Sequence, residues 1–187
     1  TYVNNGFWDT FRTTWPAYAL FAPQRAGEMI DGFLQQYREG GWVARWSSPG
    51  YADLMVGTSS DVAFADAWLK GVRGFDAHQA YEAALKNATA VPPVSNVGRK
   101  GLSRSMYRGY VESSVHEGLS WTLEGALNDF GLAQFCRALA RDDKDAARKS
   151  LLAACDMSMT SGIYEKHLPT LVREGAVPVA ALDRAVR

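Results

Sequence analysis

Neither sign of charge dominates this chain: Lys+Arg and Asp+Glu number 20 each and cancel. That balance leaves no electrostatic footprint for nucleic acid or anionic lipid, so neither is expected as a partner. No apolar stretch approaches the roughly 20 residues needed to cross a bilayer, and no membrane segment is expected. Cysteine is scarce. Cys136 and Cys155 are too few for a disulfide framework and lack metal-ligand spacing. Both sit in apolar, helix-patterned surroundings and read as buried thiols. The three histidines, His78, His116 and His167, lie far apart in the chain. His116-Glu117-Gly118-Leu119-Ser120 opens like the zinc motif His-Glu-x-x-His, but serine stands where the second imidazole belongs. Gly98-Arg99-Lys100-Gly101 has neither the length nor the hydroxyl residue of a phosphate loop. No metal ligand and no catalytic residue is assigned from the sequence.

What is present is a chain of 187 residues with 47% hydrophobic and 21% charged side chains, long enough to bury a core. Its aromatic residues are unevenly placed. All six Trp and 21 of the 22 rings precede residue 145, and only Tyr164 follows it. A single uniform fold would not segregate its rings this way, so two segments of different origin are expected, 1–145 and 146–187, with a seam between Arg141 and Leu152. Thr1 follows no methionine or signal-like segment, and Arg187 falls in a helix-patterned stretch. Both ends therefore read as cut ends.

Apolar spacing is helical nearly throughout. Met29, Ile30, Phe33, Leu34 and Tyr37 form one stripe of an amphipathic helix that Pro23 can start and Gly40-Gly41 can end. Ser59 or Ser60 can cap a helix reaching Gly71, and Asp76 opens another that Pro92-Pro93 stops near Ala90. Leu119, Leu123, Ala126, Leu127 and Phe130 stripe a long helix from about Val115 to Ala140. Residues 41–57, rich in Gly, Ser, Pro and Trp, read as a long loop. No β alternation is evident. The expected fold class is all-α, a succession of helical hairpins as in a partial α/α toroid, followed by a short helical tail.

The densest chemistry lies in Gly6-Phe7-Trp8-Asp9-Thr10-Phe11-Arg12-Thr13-Thr14-Trp15-Pro16. Two indoles, two phenyl rings, one carboxylate and one guanidinium there are what a sugar-gripping surface needs, since indole stacks on the ring's C–H face while Asp and Arg exchange hydrogen bonds with hydroxyls. A purely structural reading also stands: Asp9 as N-cap of a helix from Thr10, with Trp8, Phe11 and Trp15 as core. Arg12 could share Asp9's helical face and orient its carboxylate, or form a salt bridge with no ligand role. Asp66, in an apolar context, must find a partner or stay partly exposed. Glu124 and Asp129 are assigned to bracing between helices. Asn87-Ala88-Thr89 fits a glycosylation acceptor, a triplet common by chance.

Residues Gly6 to Trp15 resemble the Gly-Phe-Trp-Asp-Thr-Tyr-Arg-Thr signature of glycoside hydrolase family 92, the calcium-dependent exo-α-mannosidases. The resemblance continues in order through Gly40-Gly41-Trp42, Met55-Val56-Gly57-Thr58-Ser59-Ser60-Asp61-Val62, Ala65-Asp66-Ala67-Trp68-Leu69-Lys70-Gly71 and Gly109-Tyr110-Val111. It reappears in Ser120-Trp121-Thr122-Leu123-Glu124 and Asn128-Asp129-Phe130. It implies an (α/α)6 barrel of which this chain holds about half the helices, inverting hydrolysis of terminal α-mannosyl residues, and carbohydrate as partner. It also implies that Asp9 accepts hydrogen bonds from mannose hydroxyls while Trp8 walls the pocket, with Arg12 the third substrate-binding candidate.

The family's catalytic acid motif, Glu-Gly-Asn-x-Trp-Gln-Tyr, its base motif, Gly-Asn-Asp-x-Gly-x-x-Ser-x-Trp, and its calcium-site segment, Glu-Pro-Ser-His-His, are all absent here. The calcium ligands of the family are thus not in this chain, and no turnover is expected from it alone. The tail, Ala153 to Met159 and Tyr164 to Gly175 with Val177-Pro178, Leu182-Asp183 and Ala185-Val186-Arg187, resembles glycoside hydrolase family 3, which includes β-glucosidases. That family's Asp-Trp nucleophile motif does not occur here. Both families are often secreted or periplasmic. A non-catalytic carbohydrate- or protein-binding helical module and a family 3 fragment remain alternative readings.

Overall fold

The computed structural model describes residues 4–140, 143–152 and 163–186. Two compact units divide the chain, Thr1–Phe135 and Cys136–Arg187.

The first unit is built from helices, as expected. A short α1, Phe7–Thr10, leads into α2, Thr14–Phe21, and α3, Pro23–Gly40. Pro16 occupies the first turn of α2, where its missing N–H costs nothing. Pro23 opens α3 at its first helical position, and Gly41 ends it in the left-handed conformation at φ 78°. The expected stripe is the buried side of α3: Ile30, Phe33 and Leu34 are all buried. Next come α4, Ser60–Leu69, and α5, Ala77–Thr89. Asp76 caps α5 by accepting the Gln79 N–H at 3.0 Å. Ser59 stands at the N-cap of α4 but makes no side-chain cap bond. Two further helices complete this part, α6, Leu102–Arg108, and α7, Gly118–Leu139, whose last residues lie in the second unit.

Helix α2 packs on α3 and on α4, while α3 packs on α5 and α4 on α5. Alternate helices therefore share a layer, which is the arrangement of an α/α toroid. The core between the layers is aromatic. The Phe7 ring lies 4.8 Å from Phe33, 5.5 Å from Trp15 and 5.6 Å from Phe64, centroid to centroid. The three phenylalanines and Trp15 are buried.

Two expectations are corrected. The 41–57 segment is not all loop: β1, Asn5–Gly6, pairs antiparallel with β2, Trp46–Ser47. Strands of two residues are too short for alternation to register in a sequence. Asp9 is no N-cap, because α1 already begins at Phe7 with Gly6 before it, leaving Asp9 in the first turn. The apolar stripe of α7, to which the sequence gives no direction, faces outward. Leu119 is 74% exposed, Leu123 63% and Phe130 62%. The buried face of α7 in this unit instead carries Trp121, Asn128 and Phe135, with Gly131 against Val62.

In the second unit, α8 is Asp143–Leu152, α9 Ile163–Arg173 and α10 Val179–Val186. Ala147, Leu151, Tyr164, Leu171, Val177 and Ala181 form its core. A shallow apolar groove of about 460 Å³ runs along Tyr164, Leu168, Pro169, Val172 and Leu182. The segment Ala153 to Met159 that carries part of the family 3 resemblance, Cys155, and Arg141 at one edge of the expected seam lie outside the described residues. Cys136 is buried, as expected.

Candidate functional site

Position in the chain brings Trp8, Asp9 and Arg12 together, because α1 is a single turn. The Phe7 N–H donates to the Arg45 carbonyl at 3.3 Å, fixing the start of α1 against the strand pair. Phe7 anchors the turn in the aromatic core, so the next two residues point outward. Trp8 is half-buried and Asp9 exposed. Among the described residues Asp9 forms no hydrogen bond or ion pair. Its carboxylate is available to a ligand.

Arg12 does not orient Asp9. Its Nη1 donates to the Trp8 carbonyl at 2.6 Å, and its Nη2 pairs with Glu124 Oε1 at 2.7 Å. The guanidinium carbon lies 5.0 Å from the Trp8 ring centroid and 4.2 Å from that of Phe11. A planar cation stacked on aromatic faces gives up little hydration, so it prefers this sandwich to a solvated carboxylate one turn back. The structure thus joins α7 to the opening run through Arg12 and Glu124. Bracing between helices was the role assigned to Glu124 from the sequence; it instead ties α7 to the turn between α1 and α2, and its place beside the candidate site was not foreseen.

Deeper in the same unit lies a network the sequence reading missed. Asp61, in the first turn of α4, is buried. Its Oδ2 accepts from Thr58 Oγ1 at 2.6 Å and pairs with Arg99 Nη2 at 3.3 Å; its Oδ1 accepts from Asn87 Nδ2 at 2.8 Å. Asn128 Oδ1 on α7 accepts the Thr58 N–H at 2.8 Å. Arg99 also pairs with Asp129 at 2.6 Å, and because Arg99 lies in the loop before α6, Asp129 ties α7 to a loop rather than to another helix as expected. Burial pushes the Asp61 carboxyl up to about 6, against the pull of Arg99, Thr58 and Asn87. Asn87 is therefore no glycosylation acceptor, since it is buried and bound to Asp61. A charge inside Gly57-Thr58-Ser59-Ser60-Asp61 was the only sequence signal for this network, and its partners come from positions up to 70 residues away.

A second buried cation, Arg45, lies 4.9 Å from the Trp121 ring centroid and pairs with Asp53 at 2.8 Å. Burial works to raise the Asp53 carboxyl, but hydrogen bonds from Lys100, Arg45 and Ser95 and the Arg45 charge outweigh it and hold Asp53 at about 2. Asp66 is half-exposed and pairs with Lys70 one turn on at 2.6 Å, a structural role as expected. His116 is exposed.

Among the described residues no three His, Cys, Asp or Glu side chains gather closely enough to hold a metal ion. No donor set among the described residues fits the calcium site that the family resemblance implies. Nor is any helix among them long and apolar enough to cross a membrane.

Comparison with known proteins places this architecture. An inverting mannosidase of family 92 from Bacteroides thetaiotaomicron VPI-5482 superimposes with a TM-score of 0.70 at 33% sequence identity, over 80% of this chain and 20% of that one. The periplasmic β-glucosidase of Salmonella typhimurium is 48% identical over 48 residues, 26% of this chain and 6% of that protein. The chain thus spans a small part of the length of each. The pattern of the glycosyl hydrolase family 92 catalytic domain matches residues 1–152, and the chain belongs to that family.

Proposed function

We propose that this chain supplies one wall of the sugar-binding pocket of an exo-acting α-mannosidase that works by inversion, and that it does not turn over by itself. The observation that carries the reading is the exposed Asp9 carboxylate beside Trp8, within a chain matched to the family over residues 1–152. Asp9 accepts hydrogen bonds from mannose hydroxyls, Trp8 walls the pocket, and Arg12 holds the indole face in place. Inversion needs a carboxylic acid to protonate the leaving oxygen and, about 6.5–9.5 Å away, a carboxylate to activate water. The family's motifs for both, and for calcium, are absent from this sequence. The boundary between 1–145 and 146–187 belongs to the same proposal: the tail derives from a family 3 glycosidase, a reading supported by its motif resemblance.

Two measurements test this. The purified chain, incubated with calcium and an aryl α-mannoside, is expected to release no aryl alcohol above the buffer rate; clear turnover defeats the proposal. Titration calorimetry with methyl α-mannoside is expected to show weak binding that Asp9→Ala reduces by about tenfold, as befits losing a hydrogen bond to a charged acceptor. Binding that Asp9→Ala leaves intact would remove Asp9 from the site.

A second reading is a non-catalytic module that docks a protein partner. The outward apolar stripe of Leu119, Leu123, Leu127 and Phe130 favours it. Calorimetry separates the two, since that module need not bind sugar.

A further inference from the structure

The stretch of α7 inside Thr1–Phe135 carries heptad spacing on two opposite sides. Trp121, Asn128 and Phe135 recur every seven residues, are buried, and meet Arg45, Thr58 and Tyr81. On the other side Leu119, Leu123, Ala126, Phe130 and Ala133 advance by alternate steps of four and three, the spacing of a coiled-coil seam. None of these five is buried. With Leu123 and Phe130 at a, Ala126 and Ala133 fall at d, so large and small side chains alternate along the seam.

No free charge interrupts this side. Between Gly118 and Gln134 the sequence holds only Glu124 and Asp129, and each is neutralised, by Arg12 at 2.7 Å and by Arg99 at 2.6 Å. A helix face of about 25 Å without a free charge has nothing to repel another face like it. Leu119, Leu123, Leu127 and Phe130 carry most of its exposed apolar surface. At roughly 150–250 Å² for a fully exposed large side chain, their exposed fractions leave about 400 Å² on one copy. Two copies would bury about 800 Å² through these residues, which suits a weak dimer rather than a permanent one.

We propose that this side of α7 is the seat of a second copy of the chain, bound antiparallel about a two-fold axis. Reversing one strand exchanges the order of a and d, so each a position faces a d position of the other copy. Setting Leu123 opposite Ala133 of the second copy also sets Phe130 opposite its Ala126. Every large side chain then sits over a small one, which is how facing layers fill space without voids. Leu127 meets its own counterpart beside the axis. Asp129 meets its counterpart on the other flank, where Arg99 neutralises each. A contact of this symmetry closes on itself and stops at the dimer. The inference rests on the docking-module reading above and names its partner.

Sedimentation velocity of the full chain from about 1 to about 500 µM reads the association, with a midpoint expected on the order of tens of micromolar. Leu123→Lys and Ala133→Glu should each weaken it about tenfold or more, since each buries a charge against an apolar side chain. An equimolar mixture of the two variants should regain it, because this register sets the new cation against the new anion. Far-UV circular dichroism checks that both variants stay helical. Should one of them not fold, Ala126→Lys mixed with Phe130→Glu poses the same question at the other pair. Dimers that survive both single substitutions, or a mixture no tighter than either variant alone, overturn the proposal. A wild type that stays monomeric throughout overturns it too, and fluorescence of the dye ANS then separates the readings. Dye bound by the wild type and lost in Leu123→Lys leaves the docking module with a different partner. Dye unaffected by that substitution removes the docking module as well.

Discussion

Arg99→Met is expected to destabilise the first unit by about 3–5 kcal/mol at pH 7.5, and by clearly less at pH 5. The reason is Asp61. It is buried, and Arg99 supplies the cation that faces it at 3.3 Å. Removing that cation leaves a carboxylate bonded only to the neutral Thr58, Ser60 and Asn87. At pH 5 the carboxyl, already pushed up to about 6 by burial, takes up a proton and the penalty shrinks. Urea unfolding of wild type and variant at both pH values reads the difference. An equal loss at both would mean that the charge on Asp61 is not what Arg99 serves. Arg99→Met is the sharper choice over Asp61→Ala, because after the latter Arg99 still holds Asp129.

The wild type carries a related signature. A carboxyl raised on folding contributes stability below its unfolded value of about 4, and that contribution is lost as pH rises through about 6. Asp53 works in the other direction. Held at about 2, it contributes stability above pH 4 that is lost as pH falls towards 2, a small term because Asp53 is about one-third exposed. Asp61→Asn should flatten the wild-type slope between pH 4 and 6 and leave the acid limb in place.

Phe7→Ala is expected to cost about 3–5 kcal/mol, out of a total that for a domain is about 5–15 kcal/mol. Phe7 is fully buried and touches Trp15, Phe33 and Phe64, so α1, α2, α3 and α4 all lose a contact at once. The cavity left by a phenyl ring among other rings does not collapse easily, because aromatic neighbours are rigid. Phe7→Leu keeps most of the volume and should cost less than half as much. Denaturant midpoints measure both. A loss of under about 1 kcal/mol for the alanine variant would show that the four-ring cluster is not the centre of the core. Phe7 also sets the direction of Trp8 and Asp9, so on the proposed carbohydrate reading the alanine variant should weaken sugar binding as well.

Much of this was legible in the chain. The stripe Met29 to Tyr37 with Pro23 and Gly41 gave helix α3 its ends and its buried face, because the 3.6-residue period and the terminal signals are both local. The start of α5 at Asp76 was equally plain, and the structure gives its reason, a cap bond to a backbone N–H only three residues on. The signature from Gly6 to Trp15 and its companions pointed to the family through residues that stand in order along one chain.

Local signals failed where the deciding partner was distant. Arg12 was read either as orienting Asp9 or as forming a salt bridge; it forms the salt bridge, with Glu124, 112 residues away, because stacking on Trp8 and Phe11 fixes the guanidinium towards α7. The leucines of α7 were read only as one stripe of a helix, because periodicity reports that a helix has two faces and not which one turns inward. Tertiary contacts made that choice: Asn128 bonds Thr58, Trp121 takes the Arg45 guanidinium, and Gly131 meets Val62. Composition and spacing determined a helical chain with an aromatic opening run; packing alone decided which face of α7 looks inward, since only there do Trp121 and Asn128 meet Arg45 and Thr58.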